Sequence, residues 1–312
     1  MRVGMRVDRR RFLGRGLGLG LGAAVLGPSV LAACGSSGSD SDSSGSGSGS
    51  GDDAGGDTPS GAFVLVKRWD DTANTAGRIR LPLSLADPAD MSLLTGTSGP
   101  ATVTGRVVDA NGATVTTFDA GRHADGLANP YWPINLDMPA TGLFTLLVDG
   151  GDPNGLAFQL FEPGDVGTPI TGAALPPFDT PTVDDHRGVE PYCTLTPSPC
   201  PFHTTTLTDA LRSGKHVVYM VGTPAHCQFG TCAPGLESLV AVAPSFSEQA
   251  VFVHADVYTD DTAQEVAPAV SALNLNYEPV IYITDTSGAV TDRIDVVWDR
   301  SELEEILRRN LD

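Results

Sequence analysis

Cys227 and Cys232 lie in the stretch His216–Leu239, HVVYMVGTPAHCQFGTCAPGLESL, where an apolar run gives way to a short loop and then to helical spacing. That order predicts a buried strand, a turn and a helix that starts at the cysteine pair. A thiol at the first turn of a helix feels the partial positive charge of the helix N-terminus, which favours thiolate. Cys227 is the expected nucleophile, because it is nearer the loop and adjoins His226, whose imidazolium would lower the thiol pKa. Cys232 is the expected resolving partner. The chemistry implied is thiol–disulfide exchange, and a permanent bridge between the same two residues is the alternative. Spacing constrains both: residues i and i+5 of a regular helix have Cα atoms about 8–9 Å apart, beyond the ~7 Å that a disulfide tolerates. Cys227 must therefore precede the first helical turn, or that turn must be irregular, for which Gly230 is suited.

The elements that position the pair follow from the pattern around it. A short helix is predicted over Leu207–Ser213 with Thr206 as N-cap. His216–Val221 reads as a strand buried on both faces, because it is almost continuously apolar. The helix Cys227–Val242 should bend near Pro234. A strand over Ala250–Val257, a helix over Thr262–Leu273 and a strand over Val280–Thr284 follow. Asp285–Gly288 is a turn and Val290–Val297 a strand. A closing helix covers Ser301–Leu311, with Ser301 as N-cap and Glu304 at the capping-box position.

This β-α-β-α-β-β-α order resembles the thioredoxin fold over about Leu207–Leu311. Three features carry the resemblance: Cys227 after the first long strand, Pro234 inside the helix, and Glu278-Pro279 opening the strand of a hairpin. The wider order, CxxxxxxC, then TLTDAL, then HVVYMVGTPAHCQFGTC, is similar to exported actinobacterial thioredoxin-like lipoproteins. The resemblance implies a mixed central sheet flanked by helices and a redox role for Cys227 and Cys232. It also implies a cis peptide before Pro279 beside them, with His226, Thr223 and Pro224 as neighbours. The chain departs from the family pattern in having CxxxxC where CxxC is usual, His226 where a tryptophan precedes the first cysteine, and Val221 where a buried acid shuttles a proton.

Two lesser readings use the same region. The TPxxC arrangement is superficially similar to a thiol peroxidase. A copper-chaperone-like metal site would need two cysteines and a distal histidine, for which His254 is the candidate. Upstream, Cys193 and Cys200 are separated by six residues with Pro197 and Pro199 between them. The expectation is a structural disulfide that closes a small loop, with a second redox pair or metal ligation with His203 as the alternative. No bound metal or cofactor is expected.

The first 33 residues carry six arginines and one acid, and the run Leu17–Ala33 ends in Leu31-Ala32-Ala33-Cys34. Arg9-Arg10-Arg11-Phe12-Leu13 resembles a twin-arginine export signal, and the final residues resemble a lipobox. These imply a signal peptide over 1–33, a lipidated Cys34 in the bilayer, and a place on the extracytoplasmic face of the cell membrane. Residues 34–61 read as a flexible Gly/Ser/Asp tether. Residues 62–163 hold seven short candidate strands and an Asn111-Gly112 hairpin signal, which predict an immunoglobulin-like β-sandwich. The candidates are Ala62–Lys67, Arg78–Leu85, Ala101–Asp109, Ala113–Phe118, Tyr131–Leu136, Leu143–Asp149 and Ala157–Phe161. Within this segment His123 reads as a solvent-facing loop histidine, and the acids Asp70, Asp71, Asp149 and Asp152 as turn residues, with a calcium site as the weaker alternative. Residues 164–190 read as a Pro/Gly-rich linker, and 191–312 as the thioredoxin-like domain. The expected architecture is thus multi-domain, an all-β sandwich followed by an α/β unit. The chain has 312 residues and a net charge of −19, which excludes nucleic acid as a partner. The expected partners are exported disulfide proteins or small thiols.

Overall fold

The computed structural model describes residues 61–311. The expected signal peptide, Cys34 and nearly all of the tether lie outside the described residues. Among the described residues the chain is mostly β, with few helices, and no helix is long and apolar enough to cross a membrane.

The N-terminal half contains β1 (Val64–Lys67), β2 (Gly77–Ala86), β3 (Thr102–Asp109), β4 (Thr114–Gly121), β5 (Trp132–Met138), β6 (Gly142–Val148) and β7 (Leu156–Leu160). They form two sheets, β1-β2-β5 and β4-β3-β6-β7, in which every pairing is antiparallel. Alternating apolar side chains from both sheets, among them Leu81, Leu83, Leu85, Val107, Trp132 and Leu146, share one core. All seven strands fall where alternation places them, within three residues at each end. The β3–β4 turn is longer than the two residues that Asn-Gly suggests. Asp109 pairs across to Ala113, its carboxylate accepts from the Asn111 and Ala113 amides, and Gly112 takes φ +82°. Of the four acids, Asp70 and Asp152 serve as turn acids, each accepting a backbone N–H two residues on, whereas Asp71 pairs with Lys67 and Asp149 accepts from the Thr104 hydroxyl.

The C-terminal half is built on a four-stranded sheet of order β11-β10-β8-β9. Its strands are β8 (His216–Val221), β9 (Ala250–Ala255), β10 (Val280–Thr284) and β11 (Val290–Asp295). β8 and β9 are parallel, and the other pairs are antiparallel. The helices are α1 (Leu207–Arg212), α2 (Cys232–Val242), α3 (Pro268–Ala272) and α4 (Arg300–Leu311). The continuous apolar run of β8 has a direct cause. Val217, Tyr219 and Val221 face the core that also holds Leu207, Ala269 and Val270. Val218 and Met220 face the core that holds Leu236, Leu239, Leu303 and Ile306. Each such side chain contributes about 1.5–3 kcal/mol on burial, so the sheet is held from both sides.

Four local expectations change. The helix carrying the second cysteine begins at Cys232, so Cys227 lies before it; Pro234 sits in the first turn, where a missing N–H costs nothing, and starts the helix rather than bending it. The helix expected over Thr262–Leu273 is reduced to α3, because Tyr258 bridges to Val266 and the Ala267 N–H goes back to the Val257 carbonyl. Asp299, not Ser301, caps α4: its carboxylate accepts the Glu302 N–H at 2.9 Å, while Glu304 pairs with Arg308 instead of closing a capping box. Finally, the 164–190 segment is extended but not free. Gly172, Ala173 and Leu175 hydrogen-bond to Gly288 and Val290 of the β10–β11 hairpin, and Leu175 enters the core.

The two halves are joined by buried polar contacts. Arg80 of β2 grips the Glu302 carboxylate with both oxygens at 2.7 Å, and Tyr131 donates to the same group. His123 is not solvent-facing: its Nδ1 lies 2.9 Å from Asp299. Burial works against the charged imidazole, but the Asp299 hydrogen bond and charge outweigh it and raise the pKa.

Candidate active site: a thiol pair above a buried glutamate

β8 ends at Val221, and the loop that leaves it passes through Gly222, Thr223 and Pro224 before reaching His226 and Cys227. Gly230, at φ +66°, turns the chain into α2. Thr231 occupies the N-cap position, but its hydroxyl donates to the Val296 carbonyl and does not cap. The first amide of the helix, Cys232 N–H, therefore finds another acceptor, the Cys227 sulfur at 3.3 Å. A thiolate is placed where a capping side chain would sit, which is the arrangement that lowers a thiol pKa.

Cys227 is partly exposed and Cys232 fully buried. The Cys227 pKa is lowered to about 6, chiefly by the Cys232 side chain and then by the amides of Cys232, Thr231 and Phe229, against the opposing effect of burial. Burial, and then the facing Cys227 sulfur, push the Cys232 thiol well up. The two thiols are thus electrostatically unequal, the more exposed one acidified and the buried one not. His226 contributes differently from expectation, because its ring packs edge-on against Tyr258 and the lowering of Cys227 comes from the groups just named.

Glu278 completes the site. Its carboxylate accepts from the Cys232 thiol at 2.7 Å and from the Thr223 amide at 3.1 Å. Burial, followed by the Cys227 charge, raises it to about 8. Position 221, where the resemblance would put a buried acid, is Val221; Glu278, one residue before Pro279 and ahead of β10, brings a carboxylate to the pair instead. The Glu278–Pro279 peptide is cis, and Pro279 lies buried against Gly222 beside Cys232. An acid inside the otherwise apolar run Tyr277–Ile283 was the signal available for it.

Arg68, from the N-terminal half, is the other group that sequence reasoning missed. It is buried, its guanidinium lies over the Phe229 ring, and its charge interacts favourably with Cys227. Phe229 itself is half exposed next to the thiol. A separate cleft of about 250 Å³ is lined by Phe178, Asp179, Arg187, Asp256 and Pro268, and no cysteine borders it.

The Cys193–Cys200 bridge expected from the sequence is not formed: both are free and buried. Their sulfurs instead face His254 and His203, which reach the same point from β9 and from the segment after Cys200. The sequence offers metal ligation of this cysteine pair with His203 as an alternative but does not join His254 to it, because His254 is 54 residues beyond Cys200 and the parallel β8–β9 pairing brings it there.

No protein-family model matches the chain, and no curated protein matches it. Among solved structures it is similar to a thiol:disulfide interchange protein, a thioredoxin family protein from Chlorobium tepidum TLS. The identity is 15%, the match covers 46% of this chain and 99% of that one, and the TM-score is 0.31.

Proposed function

We propose that the protein exchanges thiols and disulfides through Cys227 and Cys232, in a thioredoxin-like unit preceded by an immunoglobulin-like sandwich. The observation that carries this reading is the juxtaposition of an acidified, accessible Cys227 with a buried Cys232 whose thiol donates to Glu278. The β-α-β-α-β-β-α order and the two antiparallel sheets support the architectural part.

The Cys227 thiolate attacks one sulfur of a substrate disulfide, forming a mixed disulfide and releasing a substrate thiolate. Glu278 accepts the Cys232 proton. The Cys232 thiolate then attacks the Cys227 sulfur, which forms the Cys227–Cys232 disulfide and releases the second substrate thiolate. Run in reverse, the same steps oxidise a substrate dithiol. The placement of Cys227 outside α2 removes the geometric obstacle that a helical i, i+5 pair would meet. The substrate class is exported disulfide proteins or small thiols. The lipobox-like Cys34 and the long tether support a lipid-anchored position on the extracytoplasmic face of the membrane.

The test is trapping. With Cys232→Ser, a disulfide substrate should accumulate as a stable adduct on Cys227, visible by mass spectrometry and cleared by reductant. Cys227→Ser should give no adduct. A Cys232→Ser protein that is folded yet forms no adduct, or a wild-type pair with a potential below about −300 mV, would identify an inert bridge and end this reading.

A further inference from the structure

We infer that Cys193, Cys200, His203 and His254 form a structural zinc site, separate from the thiol pair. The four donor atoms all lie within 4.8 Å of one another, and all four residues are buried. His254 Nδ1 stands 3.8 Å from Cys193 Sγ, 3.6 Å from Cys200 Sγ and 3.1 Å from His203 Nε2. With bonds of about 2.3 Å to sulfur and 2.0–2.1 Å to nitrogen, a tetrahedral zinc site has S···N edges of about 3.5–3.6 Å and an N···N edge of about 3.3–3.4 Å. The observed spacings are those of such a shell to within a few tenths of an ångström.

The outer contacts point the same way. His254 Nε2 donates to the Gly222 carbonyl at 3.0 Å, and His203 Nδ1 donates to the Pro181 carbonyl at 3.2 Å. With each ring neutral, its one N–H goes to a backbone oxygen and its other nitrogen faces inward as a free donor atom, as in metal-bound histidines. Two inward lone pairs 3.1 Å apart repel one another unless a cation or a proton lies between them. A proton would serve only the two nitrogens. A metal ion would serve the sulfurs as well, one of which already accepts the Cys200 N–H at 3.4 Å. Binding would release one proton from each thiol, and two thiolates balance a divalent ion. The site as a whole would then be neutral, which suits complete burial. Four protein donors with no open position make a structural site and not a catalytic one.

The ion would pin a segment that has no regular secondary structure. Phe202 holds the edge of β9 by accepting the His254 N–H and stacking on Phe252. Thr194 accepts the Ala225 N–H, and His254 holds Gly222, so the segment also supports the loop that carries Cys227.

Zinc alone is the probe, added to the reduced, metal-free full chain carrying Cys227→Ser and Cys232→Ser, which removes the other cysteines with nearby carboxylate. One equivalent should bind, and the thermal midpoint should rise on binding. X-ray absorption should show two sulfur and two nitrogen neighbours, and Co²⁺ in place of zinc should give the thiolate charge-transfer and tetrahedral d–d bands. Cys193→Ser or His254→Asn should abolish these bands in a chain that remains folded. If those variants do not fold, the absorption spectrum of the parent chain decides. A folded parent that binds no zinc, a shell without two sulfurs, retention of copper(I) in preference to zinc, or a Cys193–Cys200 disulfide in protein isolated without reductant would each overturn the assignment.

Discussion

Glu278 sits between two tasks that pull its proton in opposite directions. While Cys227 is a thiolate, burial and that nearby negative charge hold Glu278 up at about 8, so near neutrality its carboxyl is mostly protonated. Once Cys227 enters a mixed disulfide its charge is gone, and one of the causes of the raised pKa goes with it. The carboxylate then becomes easier to form at the stage when Cys232, whose thiol points at it from 2.7 Å, must lose its proton. A base poised near the working pH is the efficient one. Glu278→Gln should leave the formation of the Cys227 adduct intact and slow its resolution by about 10²-fold or more. Because a larger fraction of the carboxylate is ionised as pH rises through its pKa, the wild-type resolution rate should climb with pH and level below about 8, since the Cys227 charge is absent from the adduct, with that rise absent in the variant. Stopped-flow measurement of both steps across pH 5–9 separates them. Equal resolution rates in the two proteins would remove Glu278 from the reaction.

At the scale of elements, α2 is held by a close approach that only a residue without a side chain permits. A Cβ at Gly235 would stand 2.9 Å from the Trp298 ring, which is fully buried, and the Trp298 N–H donates to the Gly235 carbonyl at 3.1 Å. Helix propensity alone would make Gly235→Ala stabilising by about 1 kcal/mol. Overpacking against an immobile indole costs about 1–3 kcal/mol, so the expected net result is a lower denaturation midpoint, checked by chemical unfolding with unchanged slope. The elements themselves were largely legible. Period-two alternation found all seven strands of the sandwich, and the doubly buried run at Val217–Val221 found the central strand. The start of α2 was placed five residues early, because helical spacing continues through the loop while the Thr231 hydroxyl, committed to Val296, cannot be seen in a sequence. Cys227 and Cys232 were legible as a pair, since both lie in one stretch. Glu278, Arg68 and the meeting of His254 with Cys193, Cys200 and His203 were not, since each reaches its site through strand pairing or through contact between the two halves.

At the scale of the whole molecule, the N-terminal half takes part in the surroundings of the thiol pair. It contributes Arg68 to the surroundings of Cys227, and the contact that keeps it there is organised on Arg80. The Arg80 guanidinium also donates to the Asp295 and Val297 carbonyls, so all three of its nitrogens bond to the second half. Tyr131 ties Glu302 to the Asp299 amide, and Asp299 in turn holds His123 and the start of α4. Such a network is costly to leave half made. Arg80→Met strands the Glu302 carboxylate in a buried site, and breaking a pair of this kind costs about 3–5 kcal/mol. If the halves separate to let water reach Glu302, Arg68 leaves Cys227, and the thiolate loses a favourable charge. The expected outcome is therefore double: a lower thermal midpoint, and a rise in the pH midpoint for alkylation of Cys227 above its value near 6. Arg68→Gln should reproduce the second effect with little of the first, which distinguishes loss of the charge from loss of the contact. A midpoint for alkylation that stays fixed in both variants would mean that the sandwich does not tune the thiol, and that Cys227 owes its acidity to the Cys232 side chain and the amides of Phe229, Thr231 and Cys232 alone.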